Sequence, residues 1–248
     1  MGVAEAGGRR QSDPVAQWWT EAMAGIADLV LGSRCAGCHL SVGVWCQACR
    51  AAVGPPRLVS SAGVPVVAAG RYDGALAAAL VEHKERGRLA LAAPLGRLLA
   101  DAVAALPVQR VDLLVPVPSR RSVIRARGQD HARRLAVSAS RVLAAGGAHA
   151  PTTAALQVNR PVEDQAGLRG SARRANVDGA FSAGSRGHRV SGAAVVVVDD
   201  VATTGASLRA AGVALHAAGA TVVGCAVVAV AGWQDPTGPA GRPTAGLA

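Results

Sequence analysis

The stretch that most constrains this chain runs Val195-Val196-Val197-Val198-Asp199-Asp200-Val201-Ala202-Thr203-Thr204-Gly205-Ala206-Ser207. Four consecutive valines leave no polar face, so they fit a strand buried on both sides, the parallel strand of an α/β protein. Open α/β sheets bind ligands at the carboxyl ends of their strands, and here that end carries two aspartates. Gly205 permits a tight turn, and a helix beginning near Ala206 brings N–H groups and its positive end to one spot. Thr203, Thr204 and Ser207 add hydroxyls, and with Gly205 they predict a nest for a monophosphate. Asp199 and Asp200 are then placed to accept hydrogen bonds from two vicinal hydroxyls or to help hold Mg²⁺. Phosphate on one side and paired acceptors on the other describe a ribose 5-phosphate site. Walker B segments also end in acidic residues, but the chain has no GxxxxGK[ST] sequence. Receiver-type phosphoacceptor sites carry their acids early in the domain, whereas this pair lies late. Two capping aspartates on a polar loop is the plainer alternative, and the pattern from Val195 to Gly205 is too specific for it.

The rest of the body alternates strand and helix patterns. Strand character marks 64–71, 113–117, 194–198 and 221–230, and helical spacing marks 75–83, 89–106, 131–145 and 208–218. This predicts an α/β fold with a parallel sheet covered on both faces. Residues 54–63 read as a linker and 151–174 as irregular. Near the N-terminus, Val15 to Leu31 has a helical period that includes Trp18 and Trp19, behind Asp13-Pro14 as cap and first turn. The expected organisation is a helix and leader over 1–32, a cysteine module over 33–54, the α/β domain over 64–232 and a disordered tail over 233–248.

Four of the five cysteines form two CxxC pairs, Cys35/Cys38 and Cys46/Cys49. Each CxxC turn aims two thiolates at one point, and two such turns supply the ligands of a tetrahedral structural zinc site. Disulfides are the competing reading, weakened because no secretory signal places the chain in an oxidising compartment. Cys225, among valines, reads as a buried core thiol.

Half of the residues are hydrophobic, yet there are one Phe, one Tyr and four Trp, so alanine and valine must build most of the core. That hydrophobic fraction excludes wholesale disorder. The longest nearly apolar stretch, Gly219 to Trp233, falls short of the ~20 residues of a membrane span, and the N-terminus has no signal-peptide pattern, so a cytoplasmic protein is expected. The net charge is +10, and 25 of the 26 bases are arginine, Lys84 being the one lysine. A GC-rich coding bias accounts for the choice of arginine but not for its placement. Arg120, Arg121, Arg125, Arg127, Arg133 and Arg134 cluster between Ser119 and Arg134 with Asp130 as the only acid. This segment starts where the 113–117 strand ends, so its first residues can face the same ligand edge as Asp199. Positioned cations suit a leaving pyrophosphate; they also suit single-stranded nucleic acid, although this segment has no stacking aromatics.

At these residues the sequence resembles the type I phosphoribosyltransferase signature, and the remainder is similar to the ComF family, which includes GntX-like proteins. The resemblance covers nearly everything from Cys35 to Val230. It takes in the double CxxC module, Tyr72-Asp73-Gly74 with Lys84 and Arg86-Gly87, Val115 to Pro118, and Arg125 to Gly128. It continues through Asp164 to Leu168 with Arg173, Asn176-Val177, Ala180-Phe181 and the Asp199-Asp200 segment. Where the family usually reads RGFNQ, this chain has Arg127-Gly128-Gln129-Asp130-His131. The resemblance implies a type I phosphoribosyltransferase-like sheet with an N-terminal zinc ribbon. It implies that Asp199 and Asp200 hold the ribose hydroxyls of phosphoribosyl pyrophosphate (PRPP), that Val201 to Gly205 hold the 5-phosphate, and that Mg²⁺ accompanies the ligand. In type I enzymes a loop after an early strand binds pyrophosphate, which makes Pro118, Ser119, Arg120 and Arg121, with Lys84, the candidates here. The activity implied is transfer of ribosyl phosphate to an unidentified acceptor. The alternative is a non-catalytic ComF-like module whose partners are single-stranded DNA or DNA-uptake proteins. No residue identifies itself as a general base: His83, His131 and Glu163 each read as structural or solvent-facing.

Overall fold

A computed structural model of the protein describes residues 34–60, 63–119, 130–159 and 179–232. The valine run forms the sheet's interior strand as expected, but that strand, β6 (Ala194–Ala202), continues through both aspartates. It lies between β7 (Thr221–Val230) and β3 (Leu113–Pro116), parallel to both, with Val198 opposite Ala226 and Pro116. β2 (Val66–Arg71) pairs parallel to the far side of β7. Outermost is β1 (Arg57–Ser60), antiparallel to β2, giving the order β1-β2-β7-β6-β3. The Pro- and Gly-rich stretch expected as a linker thus contributes the antiparallel edge strand.

Alternation along β6 divides the core. Val196 and Val198 pack with α2 (Gly74–Glu85), α3 (Ala92–Ala104) and α4 (His131–Ala145). Val195 and Val197 pack on the opposite face with α5 (Ala206–Ala217) and a two-stranded antiparallel unit, β4 (Leu156–Val158) and β5 (Phe181–Ala183). Both faces of the valines are therefore dry, the condition under which a β-branched run without polar residues is stable in a sheet. Trp45 and Phe181 are the buried Phe, Tyr or Trp residues of the described chain; alanine, valine and leucine fill most of the remainder. The helix expected over 89–106 begins as a 3₁₀ turn (Leu89–Leu91) before α3, and Leu91, Leu95, Leu99 and Val103 line its inner face. Helix α4 starts where expected, with the Asp130 side chain accepting the Arg133 N–H at 3.2 Å as an N-cap.

The cysteine module, with the short helix α1 (Gln47–Ala51), packs on the start of α2. Gly37 marks the joint: a Cβ there would come within 2.7 Å of the Ala75 Cβ and 2.8 Å of the Cys49 Sγ. No helix among the described residues is long and apolar enough to cross a membrane. The expectations for Val15–Leu31, for the arginines from 120 to 127, for Asp164–Leu168 and for the tail lie outside the described residues.

Candidate functional site

The carboxyl ends of β6, β7 and β2 open onto a cavity of about 340 Å³. Asp199, Val201, Ala202, Thr203, Gly205 and Ser207 line it from the β6–α5 side, and Lys84 and Glu85 line it from α2. Gly205 is the N-cap of α5 with φ 70°, the left-handed conformation that a glycine adopts without cost. Its positive φ turns the chain so that the 12-residue helix α5 directs its N-terminal end toward the cavity. The turn is braced internally: the Ala206 N–H donates to Thr204 Oγ1 at 3.3 Å, and Arg209 Nη1 donates to the Thr204 carbonyl at 3.0 Å. At the β7 end, the Ala231 N–H donates to the Ala202 carbonyl at 2.8 Å.

The two aspartates are not equivalent. Successive strand residues point to opposite faces, which puts Asp199 with Val195 and Val197 and Asp200 with Val196 and Val198. Asp199 lines the cavity. One of its oxygens accepts the Asp200 N–H at 2.8 Å. Burial and the neighbouring charge of Asp200 push its carboxyl well above the usual carboxylate range, against the opposing pull of that N–H and of Lys84. Asp200 is buried behind it, with Oδ1 accepting the Val201 N–H at 2.7 Å and Oδ2 paired with Lys84 Nζ at 2.8 Å. The lysine therefore reaches into the site from the last turn of α2 and contacts the more buried acid.

Beneath this ion pair lie His83 and His131, 1% and 3% exposed, with ring centroids 5.2 Å apart and planes at 83°. His83 Nδ1 lies 3.3 Å from the Arg88 carbonyl, which places the ring proton on Nδ1; Nε2 has no hydrogen-bond partner among the described residues. Burial depresses the His83 pKa to about 4, so the ring is neutral at pH 7. Both histidines are buried and neither lines the cavity.

The remaining predicted residues divide. Thr204 faces a neighbouring cavity of about 1050 Å³ between α5 and the sheet edge, which also includes Cys225. Cys225 is buried, and burial alone pushes its thiol to about 12. Pro118 and Ser119 follow β3 but do not line the 340 Å³ cavity, and Arg120 and Arg121 lie outside the described residues. Sequence reasoning assigned no role to Tyr72, Leu80, Val81 and Ala231, which complete the cavity wall. Tyr72 and Ala231 each follow a parallel strand, the position that the carboxyl-end rule singles out once the strand order is known.

The sulfurs of Cys35, Cys38, Cys46 and Cys49 all lie within 4.8 Å of one another, none in a disulfide. Cys38 Sγ and Cys46 Sγ are 3.8 Å apart, close to the edge of a tetrahedron with metal–sulfur bonds of about 2.3 Å. Backbone N–H groups of Gly37 and Cys46 donate to Cys35 Sγ at 3.4 and 3.3 Å, and that of Cys49 donates to Cys46 Sγ at 3.4 Å. Against the opposing effect of burial, hydrogen bonds from the Cys46, Cys38 and Gly37 backbone lower the Cys35 thiol to about 6, whereas burial and the surrounding sulfurs raise Cys49 to about 12. Four sulfurs so placed, some already receiving N–H donors, can bind a metal such as zinc.

No curated protein matches the chain. Residues 98–241, more than half of its length, match the family described as phosphoribosyl transferase domain. The match includes β6, its two aspartates, the Gly205 turn and β7, the elements that build most of the cavity. A parallel sheet, an acidic pair at the end of an interior strand and a glycine turn opening a helix thus coincide with the family's own span, and the chain belongs to the phosphoribosyl transferase domain family.

Proposed function

We propose that the cavity at the end of β6 binds PRPP, or another ribose 5-phosphate ligand, with Mg²⁺, and that the protein is a ComF-like phosphoribosyltransferase acting on an acceptor still to be identified. The observation that carries this is the convergence of Asp199, Lys84, Thr203, Gly205 and Ser207 on one cavity. In this reading the turn and the α5 N-terminus take the 5-phosphate, and Asp199 accepts hydrogen bonds from the ribose hydroxyls. Asp200 and Lys84 hold the edge of the site, and Lys84 is the one Lys or Arg among the described residues that line the cavity. Pro118, Ser119, Arg120 and Arg121 are proposed to complete the pyrophosphate side. Asp199, together with the ligand's phosphates, would hold Mg²⁺, which would supply neutralisation of the charge on the leaving pyrophosphate. Transfer through an oxocarbenium-like state depends on this positioning and electrostatic support more than on one acid or base. The four-cysteine cluster is proposed to hold one structural zinc.

The Lys84–Asp200 contact also supports a second reading, because it joins a cation useful for pyrophosphate to one acid of the sugar pair. In that reading the protein is a non-catalytic relative that keeps the phosphate site and serves in DNA handling. Calorimetric titration with PRPP and Mg²⁺ tests the site: binding is expected for the wild type and loss of at least tenfold in affinity for Asp199→Asn. No binding by the wild type refutes the assignment. Pyrophosphate release with any member of a panel of bases identifies the enzyme, and binding without release favours the second reading.

A further inference from the structure

The two faces of the sheet are covered unequally. α2, α3 and α4 pack on one face, whereas α5 is the one α-helix among the described residues on the other, where it lies over β6 and β7. Beside α5 the cavity of about 1050 Å³ continues along β7, β2 and β1, with Val59, Val66, Val222 and Cys225 in its apolar lining. On its helical side stand Arg209, Gly212, Val213 and His216, spaced i, i+3, i+4 and i+7 along one face of α5. Val213 is 54% exposed, and a Cβ at Gly212 would meet nothing within 4 Å. A parallel sheet is ordinarily covered on both faces, so among the described residues this half of the sheet lacks a layer.

We propose that the N-terminal segment 15–31 of the same chain docks in this groove as a helix antiparallel to α5. At 100° per residue, its Trp18, Trp19, Met23, Ile26, Leu29 and Val30 fall within an arc of about 140°. Glu21 and Asp28 lie together just outside that arc, seven residues apart, and the segment has no Lys or Arg. The groove is its complement: Arg209 and His216, also seven apart, line it, and no Asp or Glu among the described residues does. A helix over 15–31 extends about 25 Å, within the roughly 33 Å of the ten-residue β7. Its direction follows from the link. The described chain begins at Arg34, in the module that packs on the start of α2 and, through Val53, beside Gly70 near the end of β2. Leu31 therefore approaches the carboxyl ends of the strands, where α5 begins, so Asp28 meets Arg209, whose guanidinium can fork onto a carboxylate, and Glu21 meets His216. The C-terminal tail is the poorer occupant, although it leaves from Gly232 at the groove, because Pro236, Pro239 and Pro243 interrupt any helix of that length. The docked segment rests against Thr203, Thr204 and Gly205 and buttresses the phosphate turn from behind.

Photocrosslinking in the 248-residue chain tests this. Benzoylphenylalanine replaces Val213 or, in a separate variant, Val64, two exposed positions that line the groove; Ala104, exposed on α3 at the opposite face, is the control position. After irradiation and digestion, mass spectrometry is expected to find a groove position joined to a peptide within residues 15–31 in monomeric protein, and Ala104 not joined to it. Trp18→Asp/Trp19→Asp should abolish the crosslink. Glu21→Lys/Asp28→Lys should lower its yield, more at low salt than at high, and circular dichroism verifies that each variant is folded. Absence of the crosslink from both groove positions overturns the proposal, as does a crosslink that survives both double substitutions. Joining to 15–31 of a second chain, seen as a covalent dimer, overturns it in favour of exchange between copies, and joining to the tail overturns it in favour of that segment.

Discussion

Asp199 and Asp200 are neighbours in sequence with opposite demands. Asp199 faces the cavity with its carboxyl pushed up by burial and by Asp200, so its folded pKa exceeds its unfolded value. Such a group costs stability once pH rises past the unfolded value, where the unfolded chain ionises more readily. Asp199→Asn should therefore melt higher than wild type at pH 7 while losing PRPP affinity, which differential scanning calorimetry and titration check together. Asp200 behaves otherwise, because removing its partner strands a buried charge. Lys84→Met should destabilise by roughly 1–3 kcal/mol, and Asp200→Asn in the same chain should recover part of that loss in a double-mutant cycle by urea unfolding. His83 has the inverse sign from Asp199: burial holds its folded pKa at about 4, below the ordinary histidine value of 6.5. Its contribution is complete above pH 6.5 and is lost as pH falls toward 4, on the order of 3 kcal/mol. Unfolding free energies measured between pH 7 and 4 should show this slope, and His83→Leu should flatten it. The sequence named both acids and Lys84, but not their pairing, because that contact joins α2 to β6 across most of the domain.

At the scale of elements, hydrophobic pattern was informative wherever an element is long and buried. α4 and β7 run over the residues that their patterns suggested, since the α4 inner face and nearly all of β7 lie in the core. β1, β4 and β5, of three or four residues each, were not legible: they are too short for a period and owe their conformation to a neighbour's unpaired backbone. The end of β6 was misjudged for a related reason. Acidic residues ordinarily close a strand, but β7 continues alongside to Val230, opposite Ala202, and its hydrogen bonds keep the aspartates in the ladder. In the cysteine module, His39 alone among described non-glycine residues has positive φ, at 62°. His39→Gly should stabilise the module by about 1 kcal/mol, seen as slower exchange of metal or of amide protons around Cys35 to Cys49.

For the whole molecule, the valine run and the alternating patterns were enough to indicate an α/β sheet, while the order β1-β2-β7-β6-β3 was not readable. Placing β7 between β2 and β6 depends on pairings between distant parts of the chain, which local propensity does not encode. The excess of arginine was read in the 119–134 segment as suited to pyrophosphate or to single-stranded nucleic acid, while in the fold Arg50, Arg97 and Arg141, far apart in sequence, line one groove between the cysteine module and helices α3 and α4. Removal of metal should act across these levels. If the four thiolates hold zinc, a strong chelator should release about one zinc per chain and lower the melting temperature. PRPP affinity should fall less than in Asp199→Asn, because the module touches α2 near Ala75 and the site uses Lys84 at the other end of that helix.

The alternating pleat of β6 also sets a parity for insertions. One residue added between Val198 and Asp199 would exchange the two acids between the faces of the sheet, leaving the cavity with the wrong carboxylate and Lys84 without its partner, although every residue type was kept. Adding two would restore the faces but carry both acids along the strand by about 7 Å, past the reach of α2. Length at this strand end therefore matters as much as residue identity.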